Sequence, residues 1–259
     1  MITSSANQKI KNISLLMKKA RERKEQGLFV VEGKKMFAEL PKEWLKEVYV
    51  SERFLEQEDA GRLLGGIEYE VVADKVFSAV SDTQTPQGIL CLVKLPRYEL
   101  SELLCGGKTH LLVLEDIQDP GNLGTMVRTG EGAGVTGIIL SRNTVDLFHP
   151  KTIRSTMGSV YRIPYFVSDS LEESVIGLKE AGVQIYAAHL NGERQYDEAD
   201  YKTATAFLIG NEGSGLSEGL SELADCRIRI PMEGAVESLN AAVSAALLMY
   251  EVNRQRRRT

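Results

Sequence analysis

The sequence has few of the residues that build disulfide frameworks or metal sites. It contains three cysteines, three histidines and one tryptophan in 259 residues. Cys91, Cys105 and Cys226 are odd in number and far apart, which favours reduced thiols in a cytoplasm over disulfide pairing. Neither the cysteines nor the histidines have the spacing of metal ligands, so we expect no metal site.

Long apolar runs are absent as well. No stretch approaches the roughly 18 apolar residues that a membrane-spanning helix needs. The N-terminal stretch MITSSANQKIKN is polar and lacks the apolar core of a secretory signal. With 43% hydrophobic and 26% charged residues, the chain is typical of a globular protein. We therefore predict a cytoplasmic protein with no membrane partner.

Basic residues are concentrated at the two ends of an otherwise acidic chain. The net charge is −5, yet residues 1–35 contain nine Lys and Arg against three Glu. The segment 251–259 adds Arg254, Arg256, Arg257 and Arg258 against one Glu. Local basic patches, rather than net charge, determine where a phosphate backbone binds. Two interpretations stay open: solvated helix faces, or surfaces of the first helix and the tail that bind phosphates.

Strands alternate with helices in two stretches of the chain. Residues 1–95 predict an α/β sandwich that begins with one amphipathic helix over residues 7–26. Residues 96–107 contain proline and paired glycines and are predicted to be a linker. Residues 108–259 predict a second α/β domain, which ends in a long helix from about Ser238.

One glycine motif is a decoy. The stretch Gly132–Gly137 (GAGVTG) matches the dinucleotide-binding fingerprint, which needs a strand before it and a helix after it. Here a helix precedes the motif and a strand follows. The order excludes a nicotinamide-dependent dehydrogenase of this type.

The segment 114–130 (LEDIQDPGNLGTMVRTG) is the first of three that carry candidate chemistry. A strand ends in acidic residues, a Pro-Gly turn follows, and Asn122 stands where a helix N-cap is expected. Arg128 would lie on that helix, roughly 9 Å along its axis from Asn122. A capped helix with one exposed arginine has the same pattern.

The second segment, 208–217 (LIGNEGSGLS), places glycines around Glu212 directly after a strand. Glycines allow a backbone to approach a ligand closely, and ligands of open α/β sheets bind beyond the carboxyl ends of strands. Glu212 could hold a ribose hydroxyl, another substrate group or a partner chain. An ordinary turn between strand and helix is the alternative.

The third segment, 230–251, is a strand end, a flexible loop and the last helix. Ser238 is predicted to be the N-cap of that helix. One helical face, which we expect to pack in the core, contains the apolar residues Leu239, Val243, Ala246, Leu247 and Tyr250. Core packing does not explain the polar pair Ser238 and Asn240.

Together the three segments resemble the SpoU/TrmH family of RNA 2′-O-methyltransferases. The similarity is in three motifs: Asn122-x-Gly124-x-x-x-Arg128, then Gly210-x-Glu212-x-x-Gly215-Leu216, then Ile230-Pro231-Met232 through Gly234 to Ser238-Leu239-Asn240. Val145-Asp146 and Lys151–Ser159 are similar to the family's connecting segments. Ala241–Ala242 depart from the Val-Ser pair that is common there, and we expect no functional consequence. GLFVVEG and SDTQTPQG resemble a substrate-binding domain found in many members.

The resemblance implies a ribosomal-protein-like α/β sandwich that binds RNA over 1–95 and a knotted α/β (SPOUT) catalytic domain over 108–259. The cofactor it implies is S-adenosylmethionine, bound by Gly210, Ile230, Met232, Leu239 and Asn240. We expect that position 210 is glycine because the cofactor needs the space that a side chain would occupy. The catalytic residues it implies are Arg128, Asn122, Glu212, Ser238 and Asn240. It also implies a homodimer of catalytic domains, and the small residues of the last helix would permit close approach.

Two roles for Arg128 stay open. The resemblance implies that this arginine takes the proton of the 2′-hydroxyl, yet a guanidinium normally keeps its own proton at neutral pH. A bidentate clamp on the adjacent phosphate is the alternative.

Single-stranded or looped RNA is the expected substrate, since the target hydroxyl must enter a tight pocket. We favour ribosomal RNA over transfer RNA and expect no DNA partner.

A non-catalytic RNA-binding relative would have lost at least one polar motif residue, and none is missing. A base methyltransferase of the same superfamily would lack Asn122 and Arg128 combined with Ser238 and Asn240.

Overall fold

The computed structural model describes residues Met1–Arg257, which form two compact units. The first unit comprises Met1–Pro96 and Asp146–Tyr161, and the second comprises Arg97–Val145 and the chain from Arg162 onward. The segment Asp146–Tyr161 lies within 108–259, the range that the sequence analysis assigned to the second domain.

The two units are both built from alternating strands and helices. The helices in chain order are α1 (Gln8–Lys18), α2 (Ala20–Gln26), α3 (Lys34–Ala38), α4 (Glu52–Leu55), α5 (Ala60–Leu64), α6 (Asp74–Val80), α7 (Pro120–Ala133), α8 (Pro150–Thr156), α9 (Leu171–Glu180), α10 (Glu218–Glu222) and α11 (Ala241–Arg256). The strands are β1 (Leu28–Glu32), β2 (Leu45–Ser51), β3 (Glu70–Val72), β4 (Ile89–Lys94), β5 (His110–Leu114), β6 (Gly137–Ser141), β7 (Tyr165–Ser168), β8 (Gln184–Ala188), β9 (Arg194–Gln195), β10 (Thr205–Ile209) and β11 (Cys226–Arg229). Short 3-10 turns occur at Lys42–Trp44, Leu100–Leu103, Gly106–Lys108 and Ser159–Tyr161.

The first unit has a sheet of order β1-β4-β2-β3, antiparallel except for the parallel pair β2–β3. The apolar face of α1 packs on this sheet through Ile10, Ile13, Leu16 and Met17. The prediction of one helix over 7–26 was wrong, because the backbone of Lys19 is extended and separates α1 from α2.

A buried arginine follows that break and contacts the end of α1. Arg23 is 2% exposed, and its Nη1 donates to the carbonyl oxygens of Leu16 and Met17 at the end of α1. Its Nε and Nη2 donate to Oδ2 of Asp146, at 2.8 and 2.5 Å. The guanidinium thus ties the end of α1 to Asp146, so Arg23 is not part of a basic surface.

The second unit has a parallel sheet of order β7-β6-β5-β10-β8-β11-β9. Its central strands are buried on both faces, as expected where helices cover a parallel sheet. Helix α9 packs against β6 and β8, while α11 packs against α7 and β10. All the predicted catalytic and cofactor-binding residues belong to this unit.

The position of β11 is unusual, since it lies between β8 and β9, which are consecutive in the chain. The link between β8 and β9 therefore crosses β11. A Cβ on Gly192, within this link, would overlap the backbone of Ile228 and Arg229, so only glycine fits there. This strand order is compatible with the threaded C-terminal segment that the resemblance implies. The knot itself stays a prediction.

The apolar face of α11 differs from expectation. Val243, Leu247 and Tyr250 are 48%, 37% and 49% exposed, so the prediction that this face packs in the core was wrong. The buried face of α11 contains the small residues Ala242 and Ala245 together with Leu248, Met249 and Val252. Small side chains let α11 approach α7 closely, which leaves the larger apolar residues on the outer side.

The arginine-rich tail is mostly engaged within the second unit. Arg256 donates to the backbone carbonyls of Lys108, Thr109, Tyr201 and Thr203. Arg254 pairs with Glu251 through two hydrogen bonds of 2.7 and 2.6 Å. These contacts argue against the expectation, left open by the sequence, that these two arginines bind phosphates. Arg257 is exposed. Arg258, also part of that expectation, lies outside the described residues.

Within Met1–Arg257 no helix is long and apolar enough to cross a membrane. The same residues contain no cluster of three or more His, Cys, Asp or Glu that could hold a metal ion.

Candidate active site

The three candidate segments follow the carboxyl ends of β5, β10 and β11. These strands are parallel members of one sheet, so their carboxyl ends meet at the same edge. The segments are therefore adjacent in the folded chain although their outer ends, residues 114 and 251, are 137 positions apart in the sequence.

Helix α7 begins earlier than predicted, and its N-cap is Asp119 rather than Asn122. The side chain of Asp119 accepts a hydrogen bond from the backbone N–H of Asn122 at 2.8 Å. This cap leaves the Asn122 side chain available for other partners. Its Nδ2 donates to Oε1 of Glu212 at 2.9 Å, and its Oδ1 accepts from Nδ2 of Asn240 at 3.0 Å.

Asn240, not Ser238, is the N-cap of α11. Its Oδ1 accepts from the backbone N–H groups of Ala242 and Val243, at 2.9 and 3.3 Å. Its amide nitrogen is then directed to Asn122. One residue from each motif thus joins the Glu212–Asn122–Asn240 chain of hydrogen bonds.

The carboxylate of Glu212 is held on several sides. Besides Asn122, it accepts from the backbone N–H groups of Gln118 and Asp119, at 3.1 and 3.2 Å. Burial would raise the pKa of Glu212, but these hydrogen bonds outweigh it and hold the pKa below its ordinary value of 4.5. Glu212 is therefore an ionised acceptor at neutral pH.

This depressed pKa predicts a pH dependence of stability with a definite sign. Since the pKa is lower in the folded than in the unfolded state, the carboxylate stabilises the fold above about pH 4.5. The contribution is lost as the pH falls through the lower folded-state pKa. A carboxyl carbon NMR titration of Glu212 should have its midpoint below the ordinary value, and Asn122→Ala should move it upward. Equal midpoints in both proteins would contradict the assignment.

The structure does not bring Arg128 into this chain. Arg128 is exposed on α7, six residues beyond Asn122, and no residue of Met1–Arg257 forms an ion pair or hydrogen bond with it. Its guanidinium is free to contact a ligand. Ser238 is likewise exposed, in the loop before α11.

A cavity of about 320 Å³ lies beside the hydrogen-bond chain. Its lining includes the predicted cofactor residues Gly210, Ile230, Met232 and Leu239, and the predicted catalytic residues Glu212 and Ser238. Asn240 precedes the lining residue Ala241. Asn122 and Arg128 are not among the lining residues. The structure thus separates the predicted residues into cavity residues, which line the cavity, and polar residues outside it, namely Asn122, Asn240 and Arg128. Glu212 lines the cavity and is also hydrogen-bonded to Asn122.

The structure gives a different reason for glycine at position 210. A Cβ there would overlap the backbone of Gly215 and Leu216, on the far side of the same loop. The expectation that the cofactor itself requires this space gives way to a tight loop closure. This closure is fixed by paired hydrogen bonds between the backbones of Asn211 and Gly215, each 3.0 Å.

Gly210→Ala should therefore open the loop and weaken cofactor binding by about tenfold or more, because loop residues that line the cavity move. Gly213→Ala is a matched control, since its Cβ would meet only Oδ1 of Asn211, at 3.5 Å. Calorimetric titration with S-adenosylhomocysteine compares the two variants. Equal affinities would show that the closure is not required.

The sequence analysis missed the turn after β8. His189, Leu190 and Asn191 line the cavity, and none was a candidate. The rule that ligands bind at the carboxyl ends of strands could have identified them, since β8 lies between β10 and β11. No motif marked the turn in the sequence.

Comparisons with known proteins agree with this geometry. Residues 109–250 match the SpoU rRNA Methylase family, and residues 7–91 match the MRM3-like substrate binding domain. The chain is 36% identical over 253 residues, 97% of this chain and 98% of the relative, to 23S rRNA (guanosine(2553)-2′-O)-methyltransferase RlmP of Bacillus subtilis (strain 168).

Two solved structures are similar over nearly the whole chain. The AdoMet-bound rRNA methyltransferase from Sinorhizobium meliloti has a TM-score of 0.85 and 33% identity, and the match covers 98% of this chain and 97% of that one. The SpoU methyltransferase AviRb from Streptomyces viridochromogenes, in complex with AdoMet, has a TM-score of 0.88 and 25% identity, with coverages of 96% and 98%. These likenesses confirm the predicted fold class. The chain belongs to the SpoU rRNA methylase family.

Proposed function

We propose that the protein transfers the methyl group of S-adenosylmethionine to a ribose 2′-hydroxyl of ribosomal RNA. The observation that carries the proposal is the Glu212–Asn122–Asn240 chain, which joins the three motifs beside one cavity. Membership of the SpoU family and the activity printed for its Bacillus subtilis relative support it.

The residues around the cavity fit this cofactor. A volume of about 320 Å³ is within the usual size of small-molecule sites. No backbone N–H group of residues 232–239 donates a hydrogen bond to the described chain, so these groups are available to a ligand. Glu212 and Glu237 would supply negative charge to the ammonium and sulfonium groups of the cofactor. Gly210, Ile230, Met232, Leu239 and Asn240 would hold the cofactor.

When bound, S-adenosylmethionine supplies an electrophilic methyl group on its sulfonium sulfur, so the protein has only to align the ribose oxygen and accept one proton. Asn122 donates to Glu212 beside the cavity, and Asn240 donates to Asn122 and so fixes its orientation. With Ser238 they orient the ribose through hydrogen bonds. Arg128 would clamp the phosphate next to the target ribose, with water or another group accepting the proton of the 2′-hydroxyl, or it would accept that proton itself.

The RNA is held in part by the first unit. Lys11, Lys18, Lys19 and Lys24 are exposed and have no ion-pair partner within Met1–Arg257. By contrast, Lys9 pairs with Glu70. The free lysines supply phosphate contacts that carry no sequence information. DNA is not a substrate, because it lacks the 2′-hydroxyl that accepts the methyl group.

The purified protein should transfer labelled methyl groups to ribosomal RNA from cells that lack the gene. Ribosomal RNA from cells that have the gene should accept little label, since its site is already methylated. Transfer RNA from both sources is tested in parallel. Label in transfer RNA alone would identify transfer RNA, instead of ribosomal RNA, as the substrate. Label in neither RNA would refute the proposal.

We also propose a cytoplasmic location, which the three free thiols support.

We propose further that the protein is a homodimer formed through α11. The outer face of this helix presents Val243, Leu247 and Tyr250 beside Ala246, an apolar stripe that a second copy could cover by twofold symmetry. A stripe on the same element in both copies makes the interface self-complementary.

Sedimentation should therefore give a dimer at micromolar concentration, and Leu247→Lys should give a monomer, because a buried lysine would have no partner. Leu15→Lys is the matched control, since Leu15 and Leu247 are both 37% exposed. A monomeric wild-type protein would contradict the dimer.

A further inference from the structure

His189 is held rigidly at the wall of the cavity. It directly follows β8, and its backbone N–H donates to the carbonyl of Ile228 in β11 at 2.9 Å. Its own carbonyl accepts from the N–H of Gly192 at 3.0 Å, which closes a tight turn. Since a Cβ at Gly192 would overlap β11, the turn is pressed against that strand. The backbone that carries the imidazole therefore has little freedom.

The side chain of His189 is also fixed. Its Nδ1 accepts a hydrogen bond from the backbone N–H of Asn191 at 3.1 Å. A neutral imidazole that accepts at Nδ1 carries its hydrogen on Nε2. No residue of Met1–Arg257 accepts a hydrogen bond from Nε2. The ring is thus an oriented N–H donor without a protein partner, in a residue that lines the cavity.

The charges of the cavity indicate which part of a ligand this donor meets. The described lining residues include Glu212 and Glu237 but no lysine or arginine. Both carboxylates lie on the loops after β10 and β11, where they suit the cationic methionyl end of the cofactor. His189 stands after β8, next to the apolar Ala188, Leu190 and Ile228. Apolar walls beside an imidazole N–H donor suit adenine, whose ring nitrogens are acceptors.

We propose that Nε2–H of His189 donates a hydrogen bond to a ring nitrogen of the adenine of S-adenosylmethionine. His189 is then a positioning residue, which fixes the adenosyl group and so the place of the sulfonium methyl. This inference rests on the proposed function, because that function supplies the cofactor.

His189→Asn tests the donor without opening the turn. The asparagine Oδ1 occupies the place of Nδ1 and can accept the same N–H of Asn191. Because the asparagine side chain is shorter, its amide nitrogen does not reach the place of Nε2. His149→Asn is the matched control. His149 lies in the first unit, and its Nδ1 likewise accepts from the backbone N–H two residues on, at 3.2 Å.

Calorimetric titrations with S-adenosylhomocysteine should give a dissociation constant about tenfold higher for His189→Asn and unchanged for His149→Asn. Three deaza analogues, each with one adenine ring nitrogen replaced by C–H, identify the acceptor. Wild-type protein should bind one of them about tenfold more weakly than the parent ligand, and His189→Asn should bind the two equally.

Several outcomes would overturn the inference. Unchanged affinity of His189→Asn would exclude the hydrogen bond. Equal loss for the parent and all deaza analogues would exclude adenine as acceptor, and full affinity of His189→Asn for methylthioadenosine would transfer the contact to the methionyl end. Wild-type protein that binds no adenosyl ligand would refute the proposed function together with the inference. If the wild-type protein binds the cofactor and transfers methyl groups, and His189→Asn has the same affinity, the role of His189 alone is refuted.

Discussion

Replacing Arg128 with alanine is expected to lower the single-turnover rate of methyl transfer by about a thousandfold and to leave cofactor affinity unchanged. The first effect follows because the guanidinium is the free cationic group of the first motif. The second follows because Arg128 does not line the cavity. Rapid mixing of the protein–cofactor complex with RNA measures the rate, and calorimetry measures the affinity.

Lys202→Ala is the control for a general loss of positive charge. Lys202 is also exposed, but it precedes β10 and so lies at the opposite edge of the sheet. Its replacement should leave the single-turnover rate unchanged. If Arg128→Ala lost cofactor affinity as severely as Gly210→Ala, the division between cavity residues and polar residues would be wrong.

Arg128→Lys distinguishes the two roles of the guanidinium. Lysine keeps the charge but loses the planar, bidentate group. A phosphate clamp should therefore retain partial activity, most visible at low salt, where the attraction of exposed charges is least screened. A guanidinium that accepts the proton should leave lysine nearly as inactive as alanine at every accessible pH. Single-turnover rates at two salt concentrations decide between them.

Removing one partner of the Arg23–Asp146 ion pair should lower the free energy of unfolding by about 3–5 kcal/mol, because a charge is left buried and unpaired. The two side chains are 3% and 22% exposed. Arg23→Ala would also leave the carbonyls of Leu16 and Met17 without their donor. Urea unfolding measures the loss, followed by fluorescence of Trp44, the single tryptophan, which lies in the same unit.

Arg21→Ala is the matched control on the same helix, since its pair with Glu25 is 84% and 52% exposed and should leave the unfolding midpoint unchanged. The double variant Arg23→Met with Asp146→Leu should be more stable than either single alanine variant, since no charge is left alone. A double variant as unstable as the sum of the two losses would show that packing, not charge, accounts for the effect.

Position relative to strand ends could be predicted from the sequence, because hydrophobic runs locate strands and parallel strands share a carboxyl edge. The segments that contain Asn122, Glu212 and Asn240 were located in this way, the family resemblance assigned these residues to the site, and hydrogen bonds join them. Their individual geometry could not be predicted. Asp119 and Asn122 are both capping residue types, as are Ser238 and Asn240, and local sequence does not rank such neighbours.

Coverage of a surface also escaped prediction. Periodicity correctly grouped Val243, Leu247 and Tyr250 on one face of α11. It does not predict whether another element packs against that face. The neighbouring face with Ala242 and Ala245 is the buried one, because close approach to α7 favours small side chains. The same limit applies to Arg23, whose partner Asp146 is 123 residues away in the chain.

The reason why a motif position requires glycine can likewise differ from the first expectation. Glycine at position 210 is required by the backbone of Gly215 and Leu216, within its own loop. In the sequence analysis, the cofactor was expected to occupy the space where a Cβ at position 210 would lie. The identity of the residue was informative, whereas the neighbour that excludes a Cβ is visible only in three dimensions.

Alkaline hydrolysis of RNA labelled by the protein tests the central claim most directly. A methylated 2′-oxygen cannot attack the neighbouring phosphate, so the label should be recovered in alkali-resistant dinucleotides. Loss of that product with Arg128→Ala would assign it to the protein rather than to a contaminant. Label recovered in mononucleotides would show that a base accepts the methyl group, and it would contradict 2′-O-methylation.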